Sequence, residues 1–172
     1  MHIRRATTDH EIDVCFPVMS ELRPHLVRPE VVALVRRMER EGGFELAFLE
    51  DDETIVAVAG YRILDDFARG RYLYVDDLVT AAAHRSRGYG SGLLDWLRAE
   101  AARRGCGRLH LDSGMQRKDA HRFYEREGLG AVSLHFAVEI ASGGELVEEG
   151  ATAKPDVRRS PQRAAREAGR DA

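Results

Sequence analysis

The sequence RSRGYGSG occupies residues 85–92, between a mostly apolar run and an amphipathic segment. The start of a helix carries free backbone N–H groups and a partial positive charge, so it can hold phosphate oxygens, and glycines let the backbone approach the anion. Arg85 and Arg87 add positive charge where a pyrophosphate would lie. The stretch therefore predicts a phosphate-binding turn that opens a helix. An ordinary glycine-rich turn is the alternative, and the arginines and the strand–loop–helix context favour the first interpretation.

Two common phosphate-binding motifs do not fit this stretch. The P-loop ends in Lys followed by Ser or Thr, and that ending is missing here. The dinucleotide-binding fingerprint has a different glycine spacing from the G-x-G-x-G of residues 88–92, and it follows a strand at the start of its domain. Neither of these two site classes is therefore predicted.

The elements on either side of the turn form one strand–loop–helix–strand unit. Residues 72–79 are apolar on both faces except at Asp76 and Asp77, which indicates a central strand. Residues 91–104 have the apolar spacing of an amphipathic helix, and residues 108–112 alternate like a short strand. We expect one crossover unit that joins two strands of the same sheet.

Helical and strand-like patterns also precede and follow this unit. An apolar helical stripe runs from Ile12 to Leu22, and Pro17 within it predicts a kink or a late start. The predicted order of elements is β-α-α-β-β-β-α-β-α-β. The other predicted elements are a helix that starts near Pro29 and stops at Gly42, a hairpin of residues 44–50 and 54–63, a helix over residues 119–127, and a final extended run over residues 130–140.

Composition limits the class of protein. The 172 residues are 44% hydrophobic and 32% charged, which allows one folded core, and the net charge of −3 gives no electrostatic reason to expect nucleic acid. No apolar stretch suits a signal peptide or a membrane helix, and two cysteines cannot form a disulfide framework. We therefore expect a reduced, cytoplasmic protein without a membrane partner. Residues 1–140 are the predicted domain, and residues 141–172, which are nearly free of large apolar side chains, are a predicted flexible polar tail.

The spacing Arg85-x-x-Gly88-x-Gly90 resembles the [Q/R]-x-x-G-x-[G/A] signature of the GNAT acetyltransferase superfamily. The resemblance covers about residues 3–140 and includes the Phe-Tyr pair that ends at Tyr124 in the later helix. It implies an α/β (α+β) fold of the GNAT type: a central, mixed, mostly antiparallel twisted sheet with helices on both faces, splayed between its two central strands. It also implies an N-acetyltransferase that moves an acetyl group from acetyl-CoA to a primary amine, by direct attack in a ternary complex.

The same resemblance assigns the cofactor contacts. Backbone N–H groups of residues 87–92 are expected to hold the CoA pyrophosphate, and the main chain of residues 78–80 is expected to pair with the pantetheine arm like an added strand. No metal is expected. The expected cofactor-binding residues are Leu78, Val79, Thr80, Arg85, Arg87, Gly88, Tyr89, Gly90, Ser91 and Gly92.

Tyr124 is the candidate acid that protonates the leaving thiolate. A phenol has a pKa of about 10 and a thiol a pKa near 8.5, so the transfer is slightly uphill in isolation but feasible. The position of Tyr124 matches the tyrosine of the family motif. The alternative is a core aromatic that packs beside Phe123 on the apolar helix face.

Three carboxylates are candidates for the base that accepts the amine proton. Asp76 and Asp77 lie inside an otherwise apolar strand and, by strand alternation, point to opposite faces, so at most one is expected to face the acceptor. The alternative is that both are solvated or paired with arginine. Asp112 lies at a strand end, where ligands collect in open α/β sheets, and a turn-capping role is its alternative.

The acceptor and the oligomeric state stay open at this level. A small-molecule amine and a peptide or protein amine are both compatible with the sequence, and the chain is expected to be a monomer or a homodimer. Two other functions compete with the enzyme. One is a CoA-binding sensor without catalysis, which a turnover assay distinguishes, and the other is an interaction domain that binds no CoA.

Overall fold

A computed structural model of the protein describes residues 1–140. Met1–Val132 forms one compact unit, which contains all the strands and helices of the fold, and residues 133–140 belong to a second unit. The predicted polar tail, residues 141–172, lies outside the described residues, and the domain boundary after residue 140 stays a prediction.

Within these residues the fold has five strands and four α-helices, and their order matches the predicted order as far as the last helix. The elements are β1 (His2–Arg5), α1 (Asp9–Leu22), α2 (Arg28–Gly42), β2 (Phe44–Asp51), β3 (Thr54–Asp66), β4 (Gly70–Thr80), a 3-10 turn (Ala82–His84), α3 (Tyr89–Arg103), β5 (Arg108–Leu111) and α4 (Lys118–Arg126).

The five strands form one open, mixed sheet in the order β1-β2-β3-β4-β5. Neighbouring strands are antiparallel except β4 and β5, which are parallel. Parallel neighbours need a crossover connection, and α3 supplies it. The predicted crossover unit and the mostly antiparallel mixed sheet are therefore confirmed.

Helices cover both faces of the sheet. α1 and α2 pack on one face, where Ile12 and Phe48 are fully buried. α3 packs on the other face, where Leu49 and Leu93 are fully buried. Each such side chain contributes about 1.5–3 kcal/mol of burial free energy, so these two apolar layers hold the sheet between the helices.

β4 and β5 separate at the place where the cofactor arm is expected. Their paired register ends at Val75↔Leu111. β5 stops at Leu111, whereas β4 continues to Thr80. Residues 76–80 therefore have no partner strand on this side among the described residues, which is the splay that the fold class predicts.

A β-bulge in β4 lies at the two central carboxylates. Gly60 of β3 pairs with Asp77, but the next residue, Tyr61, pairs with Val75, so Asp76 is the extra residue. A bulge interrupts the alternation of side chains along a strand. The simple alternation behind the expected opposite orientation of Asp76 and Asp77 therefore does not hold.

α1 begins earlier than the sequence prediction. The Thr8 hydroxyl accepts a hydrogen bond from the Glu11 N–H at 3.2 Å, and the Glu11 carboxylate accepts one from the Thr8 N–H at 3.0 Å. The helix then continues through Pro17 to Leu22. The late start is wrong because this capping box stabilises the first turn ahead of Pro17. The alternative, a kink at Pro17, stays a prediction.

The final extended run predicted for residues 130–140 does not form a strand. No strand is assigned from residue 130 to residue 139, and Ile140 forms only an isolated bridge. A strand is stabilised by a paired neighbour and by a buried face, and the alternate apolar side chains here are exposed. These exposed side chains are Val132, Leu134, Phe136, Val138 and Ile140.

A buried ion-pair network joins α3 to β2. The Glu100 side chain is 5% exposed and bonds to Arg103 and Arg104, and Arg104 also donates to Glu45 at 2.9 Å. Burial disfavours the charge of Glu100, but the two arginines outweigh burial and hold the pKa of Glu100 below its usual range. Arg104 is thus the cation shared by two carboxylates.

We expect Arg104→Ala to lower the free energy of unfolding by about 2–4 kcal/mol, because it removes the shared partner of two largely buried carboxylates. Arg103→Ala is the matched control. The Arg103 side chain is 64% exposed, so we expect that variant to lose at most about 1 kcal/mol. Urea unfolding followed by circular dichroism measures both variants. Equal losses would contradict the special role of Arg104.

Candidate active site and cofactor cleft

A cleft of about 930 Å³ opens beside the free end of β4. The end of β4 forms one wall, the turn and first residues of α3 form a second, and α4 with the residues just before it forms a third. The lining residues are Leu78, Val79, Thr80, Arg85, Ser86, Gly88, Tyr89, Gly90, Ser91, Gln116, Arg117, Lys118, Asp119, Ala120, Phe123, Tyr124 and Arg126.

Eight of the ten predicted cofactor residues line this cleft, and Arg87 and Gly92 do not. Gly92 donates its N–H to the Gly88 carbonyl at 2.9 Å inside the helix. A Cβ at Gly92 would lie 3.6 Å from Met1 Cε and 4.0 Å from Leu49 Cδ1. A side-chain carbon at Gly92 would thus make only ordinary contacts, and the Gly92 N–H is already used.

The turn before α3 presents free backbone donors. Gly88 caps the helix with a φ of +85°, a left-handed conformation that favours glycine. α3 begins at Tyr89, and the Gly92 N–H makes the bond back to Gly88. The N–H groups of residues 89–91 consequently precede the intrahelical hydrogen bonds. Such donors at a helix start attract anions, and here they lie on the wall of the cleft.

Side chains of the same turn hold its shape. The Tyr89 hydroxyl donates to Asp51 Oδ2 at 2.6 Å, and this hydrogen bond raises the pKa of Tyr89. The Ser91 hydroxyl donates to the Glu127 carboxylate at 2.7 Å, which ties α3 to the end of α4. Both hydroxyls are thus engaged within the protein, and the backbone is left to contact a ligand.

Several basic side chains line the cleft. Arg85 lies on its wall and donates from Nε to the Thr80 carbonyl at 3.3 Å. Arg117, Lys118 and Arg126 line it from the side of α4. Sequence reasoning missed these three residues, although the adjacent basic pair Arg117-Lys118 at the start of α4 was an available signal. Cations on facing walls suit a ligand that carries several phosphate groups.

Tyr124 lies on the wall of the cleft that α4 forms. It is partly buried, and its ring contacts Phe123 edge-on at a centroid distance of 5.4 Å. Burial raises the pKa of Tyr124, and the charge of Arg117 opposes the shift. The raised pKa keeps the hydroxyl protonated at neutral pH, and the hydroxyl forms no hydrogen bond within residues 1–140.

The two carboxylates at the bulge of β4 are both paired with arginine. Asp76 Oδ2 accepts from Arg62 Nε at 2.9 Å, and Asp77 Oδ1 accepts from Arg23 Nε at 2.7 Å. Burial raises the pKa of Asp76, and Arg62 opposes this shift. The arginine pairing is the alternative that the sequence left open, and it balances each charge locally.

Asp112 follows β5 where the sheet splays. Its Oδ2 accepts a hydrogen bond from the Tyr74 hydroxyl at 2.7 Å. Burial and this carboxylate raise the pKa of Tyr74. Asp112 is exposed and does not line the cofactor cleft. The structure therefore separates Asp112 from the group of residues that includes Tyr124.

Neither a metal cluster nor a membrane helix is found in the part of the chain that the structure describes. No group of three or more potential metal ligands occurs among residues 1–140. No helix among them is long and apolar enough to cross a membrane. Cys15 is buried and Cys106 partly exposed, and both are free thiols.

Sequence comparison agrees with the turn, the splayed sheet and the later helix. The sequence profile of the acetyltransferase (GNAT) family matches residues 10–130. The chain belongs to the GNAT acetyltransferase family. The resemblance inferred from residues 85–92 and Tyr124 is thereby confirmed, and the chain is an acyltransferase of this family.

Curated GNAT relatives support the same assignment. The uncharacterized N-acetyltransferase YhdJ of Bacillus subtilis (strain 168) is 37% identical over 127 residues, which are 72% of this chain and 87% of the relative. The aminoalkylphosphonate N-acetyltransferase of Salmonella typhimurium is 41% identical over 54 residues, which are 31% of this chain and 35% of that protein. The first of these matches spans most of both chains.

Solved GNAT structures share the fold. The aminoglycoside N-acetyltransferase AAC(6')-Iy in complex with CoA has a TM-score of 0.72 at 12% identity, with 81% of this chain and 94% of that chain covered. The ribosomal-protein-alanine N-acetyltransferase from Brucella melitensis has a TM-score of 0.68 at 17% identity, with 81% and 100% covered. At these identities the likeness shows the fold alone, and it confirms the predicted fold class.

Proposed function

We propose that this GNAT domain transfers the acetyl group of acetyl-CoA to a primary amine by direct attack of the amine on the thioester. One observation carries the proposal: a single cleft combines helix-start donors at residues 89–91 with residues 78–80 at the end of β4, which have no partner strand on one side within residues 1–140. A diphosphate suits the donors, and an extended chain of amides suits the strand edge.

In this proposal the cofactor lies along the three walls of the cleft. The CoA diphosphate binds the N–H groups at the start of α3, and Arg85 and Lys118 contribute charge from two sides. The pantetheine amides pair with the main chain of residues 78–80, as an added strand does. In this arrangement the cleft that Tyr124 lines also contains the thioester sulfur.

The reaction forms a bond between the amine nitrogen and the carbonyl carbon, and it breaks the bond between that carbon and sulfur. The departing thiolate takes a proton, and the proposed donor is the Tyr124 hydroxyl, which forms no hydrogen bond within residues 1–140. The nitrogen loses a proton as it attacks, and the Asp77 carboxylate is the proposed acceptor. Asp77 directly precedes Leu78, which lines the cleft, and this adjacency along β4 is the reason for proposing Asp77 before Asp112.

The cysteines argue for direct attack instead of a covalent acetyl-enzyme. Cys15 is buried, and burial raises its pKa to about 12. Burial also raises the pKa of Cys106. A nucleophilic cysteine must be a thiolate near neutral pH. Both thiols are therefore protonated at neutral pH, and the acetyl group passes from sulfur to nitrogen in one ternary complex.

We expect Asp77→Asn to lower kcat/KM for the amine by about 10–100-fold at pH 7, because the amide cannot accept the proton. Asp112→Asn is the matched control, and we expect a change below about threefold, since its partner is Tyr74 outside the cleft. Initial rates of free-thiol release measure both variants. A larger loss for Asp112→Asn would transfer the role of base to that residue.

The proposed function is tested by titration calorimetry with acetyl-CoA, followed by thiol release in the presence of a panel of primary amines. Binding together with amine-dependent release supports the transferase. Binding without release from any amine points to the sensor alternative. A folded protein that binds no acetyl-CoA overturns the proposal.

The proposed acceptor is a small-molecule amine or an amine of a peptide or protein. The relatives are named for amines of different kinds: aminoalkylphosphonates, aminoglycosides and the alanine of a ribosomal protein. We also propose that the protein acts in the cytoplasm as a monomer or homodimer, without nucleic acid or membrane as a partner. The absence of a strongly basic surface charge in the sequence supports the exclusion of nucleic acid.

A further inference from the structure

A second cavity of about 240 Å³ lies between α1, α2 and the face of the sheet on which they pack. Its walls are almost entirely apolar, and its only charged or titratable lining groups besides Cys15 are Arg23, His25 and Asp77. The main apolar lining residues are Ile12, Phe16, Met19, Val31, Val35 and Phe44.

The volume of this cavity suits an organic group. A cavity of about 150 Å³ with apolar walls stays dry and can bind benzene. The side chains around this cavity are otherwise well packed, since Ile12 and Cys15 are at most 1% exposed. The cavity therefore has room for one ring or a short alkyl chain, and its walls offer a water molecule few polar partners.

The mouth of the cavity carries a carboxylate that can receive a cation. The Asp77 side chain is 13% exposed and its Oδ1 accepts from Arg23, whose side chain is 46% exposed. Asp77 Oδ2 accepts no hydrogen bond within residues 1–140. Gly60 faces this oxygen, and a Cβ there would lie 3.3 Å from it. An ammonium group can thus bind Oδ2 while Arg23 stays bonded to Oδ1, and it must release one proton to solvent before the neutral nitrogen attacks the thioester.

The apolar cavity and the cofactor cleft share β4 as their common wall. Asp77 lines the cavity, and the next residue, Leu78, lines the cleft. Both residues belong to the part of β4 that β5 leaves unpaired. An amine held at Asp77 is therefore adjacent to the strand along which the thioester arm is proposed to lie.

We infer that the acceptor is a primary amine with an uncharged apolar substituent, which enters the cavity between α1 and α2 while its nitrogen binds Asp77. The inference rests on the proposed transferase function and specifies its substrate class. A polycation such as spermidine does not fit, because its second and third charges would enter apolar walls that offer no counter-ion.

The test is a series of unbranched alkylamines from ethylamine to pentylamine at saturating acetyl-CoA, with spermidine as the polar comparison. These alkylamines have nearly equal basicity, so chain length is the main variable. We expect KM to fall about fourfold per added methylene, as full burial of that group predicts, with kcat nearly constant. We expect spermidine to be a poorer substrate than pentylamine.

Two valine variants test whether the dependence of KM on chain length arises in this cavity. Val31 lines the cavity and Val32, its neighbour on α2, does not. We expect Val31→Phe to fill the cavity and to raise the KM of pentylamine at least about tenfold, with the acetyl-CoA affinity unchanged. Val32→Phe should leave both values within about twofold. If Val31→Phe does not fold, Leu34→Phe replaces it at a partly exposed position of the same cavity.

The outcomes separate the inference from the proposed function. A KM that does not depend on chain length, together with efficient acetylation of spermidine, would overturn the inference alone. Equal effects of Val31→Phe and Val32→Phe would overturn it as well. Acetyl-CoA binding without transfer to any amine would overturn the proposed function and this inference together. Thermal stabilisation of wild type by pentylamine, lost in Val31→Phe, supports the cavity independently of turnover.

Discussion

Gly90→Glu is expected to weaken acetyl-CoA binding by about 100-fold or more. A Cβ at this position would lie 3.3 Å from Thr80 Oγ1 and 3.4 Å from Phe123 Cζ, so even the first added atom fits tightly. The rest of a glutamate side chain then places a negative charge at the helix start proposed to hold the diphosphate. Steric exclusion and charge repulsion act together, which is why this effect is among the largest we expect.

Gly107→Glu is the matched control for this prediction. A Cβ at Gly107 meets nothing within 4 Å, and its φ is outside the left-handed region, so the substitution adds the same charge without a clash. We expect acetyl-CoA affinity within about twofold of wild type. Titration calorimetry measures both variants, and circular dichroism confirms folding. A folded Gly90→Glu protein that binds acetyl-CoA normally would place the cofactor elsewhere.

Tyr124→Phe is expected to lower kcat by about 100-fold or more while acetyl-CoA affinity stays the same, since general acids contribute rate factors of this size. The change removes one hydroxyl that has no hydrogen bond within the described residues, so little stability should be lost. Tyr61→Phe is the control: it removes a hydroxyl that donates to Glu45 at 3.0 Å, outside the cleft.

The pH dependence gives this prediction a second measurement. Burial raises the pKa of Tyr124 above its ordinary value of about 10, so the proton-donating form persists to higher pH than for a free tyrosine. Any loss of kcat on the alkaline side below pH 10 must therefore have another source. Tyr124→Phe should lower kcat at every pH, and it should not change the pH at which kcat falls on the alkaline side. A kcat within threefold of wild type would exclude Tyr124 as the acid.

Local patterns predicted most of the fold. The strands and helices from β2 to α4 lie within about three residues of their predicted bounds, because period 2 and period 3.6 are properties of neighbouring residues. The early start of α1 had a local signal as well, since Thr8 and Glu11 have the spacing of a capping box. Residues 130–140 alternate like a strand, but alternation alone supplies no partner strand.

Many of the residues of β4 and α3 that line the cleft were also predictable. Glycine spacing and arginines within eight residues mark the turn before α3, and the Phe-Tyr pair marks α4. Arg117, Lys118 and Arg126 were missed because a basic residue on a helix is usually solvated, and only the approach of α4 to β4 makes these three part of a cleft.

By itself the sequence determined the element order up to α4, the glycine-rich turn before α3 and the family, because all three depend on residues close together in the chain. Only the tertiary structure decided that β4 bulges at Asp76, that Asp77 pairs with Arg23 across a separation of 54 residues, and that an apolar cavity ends at this carboxylate. Contacts between residues so far apart in the chain leave no periodic pattern in the sequence. They arise when the two packed layers bring distant segments together, so they are seen only in the folded structure.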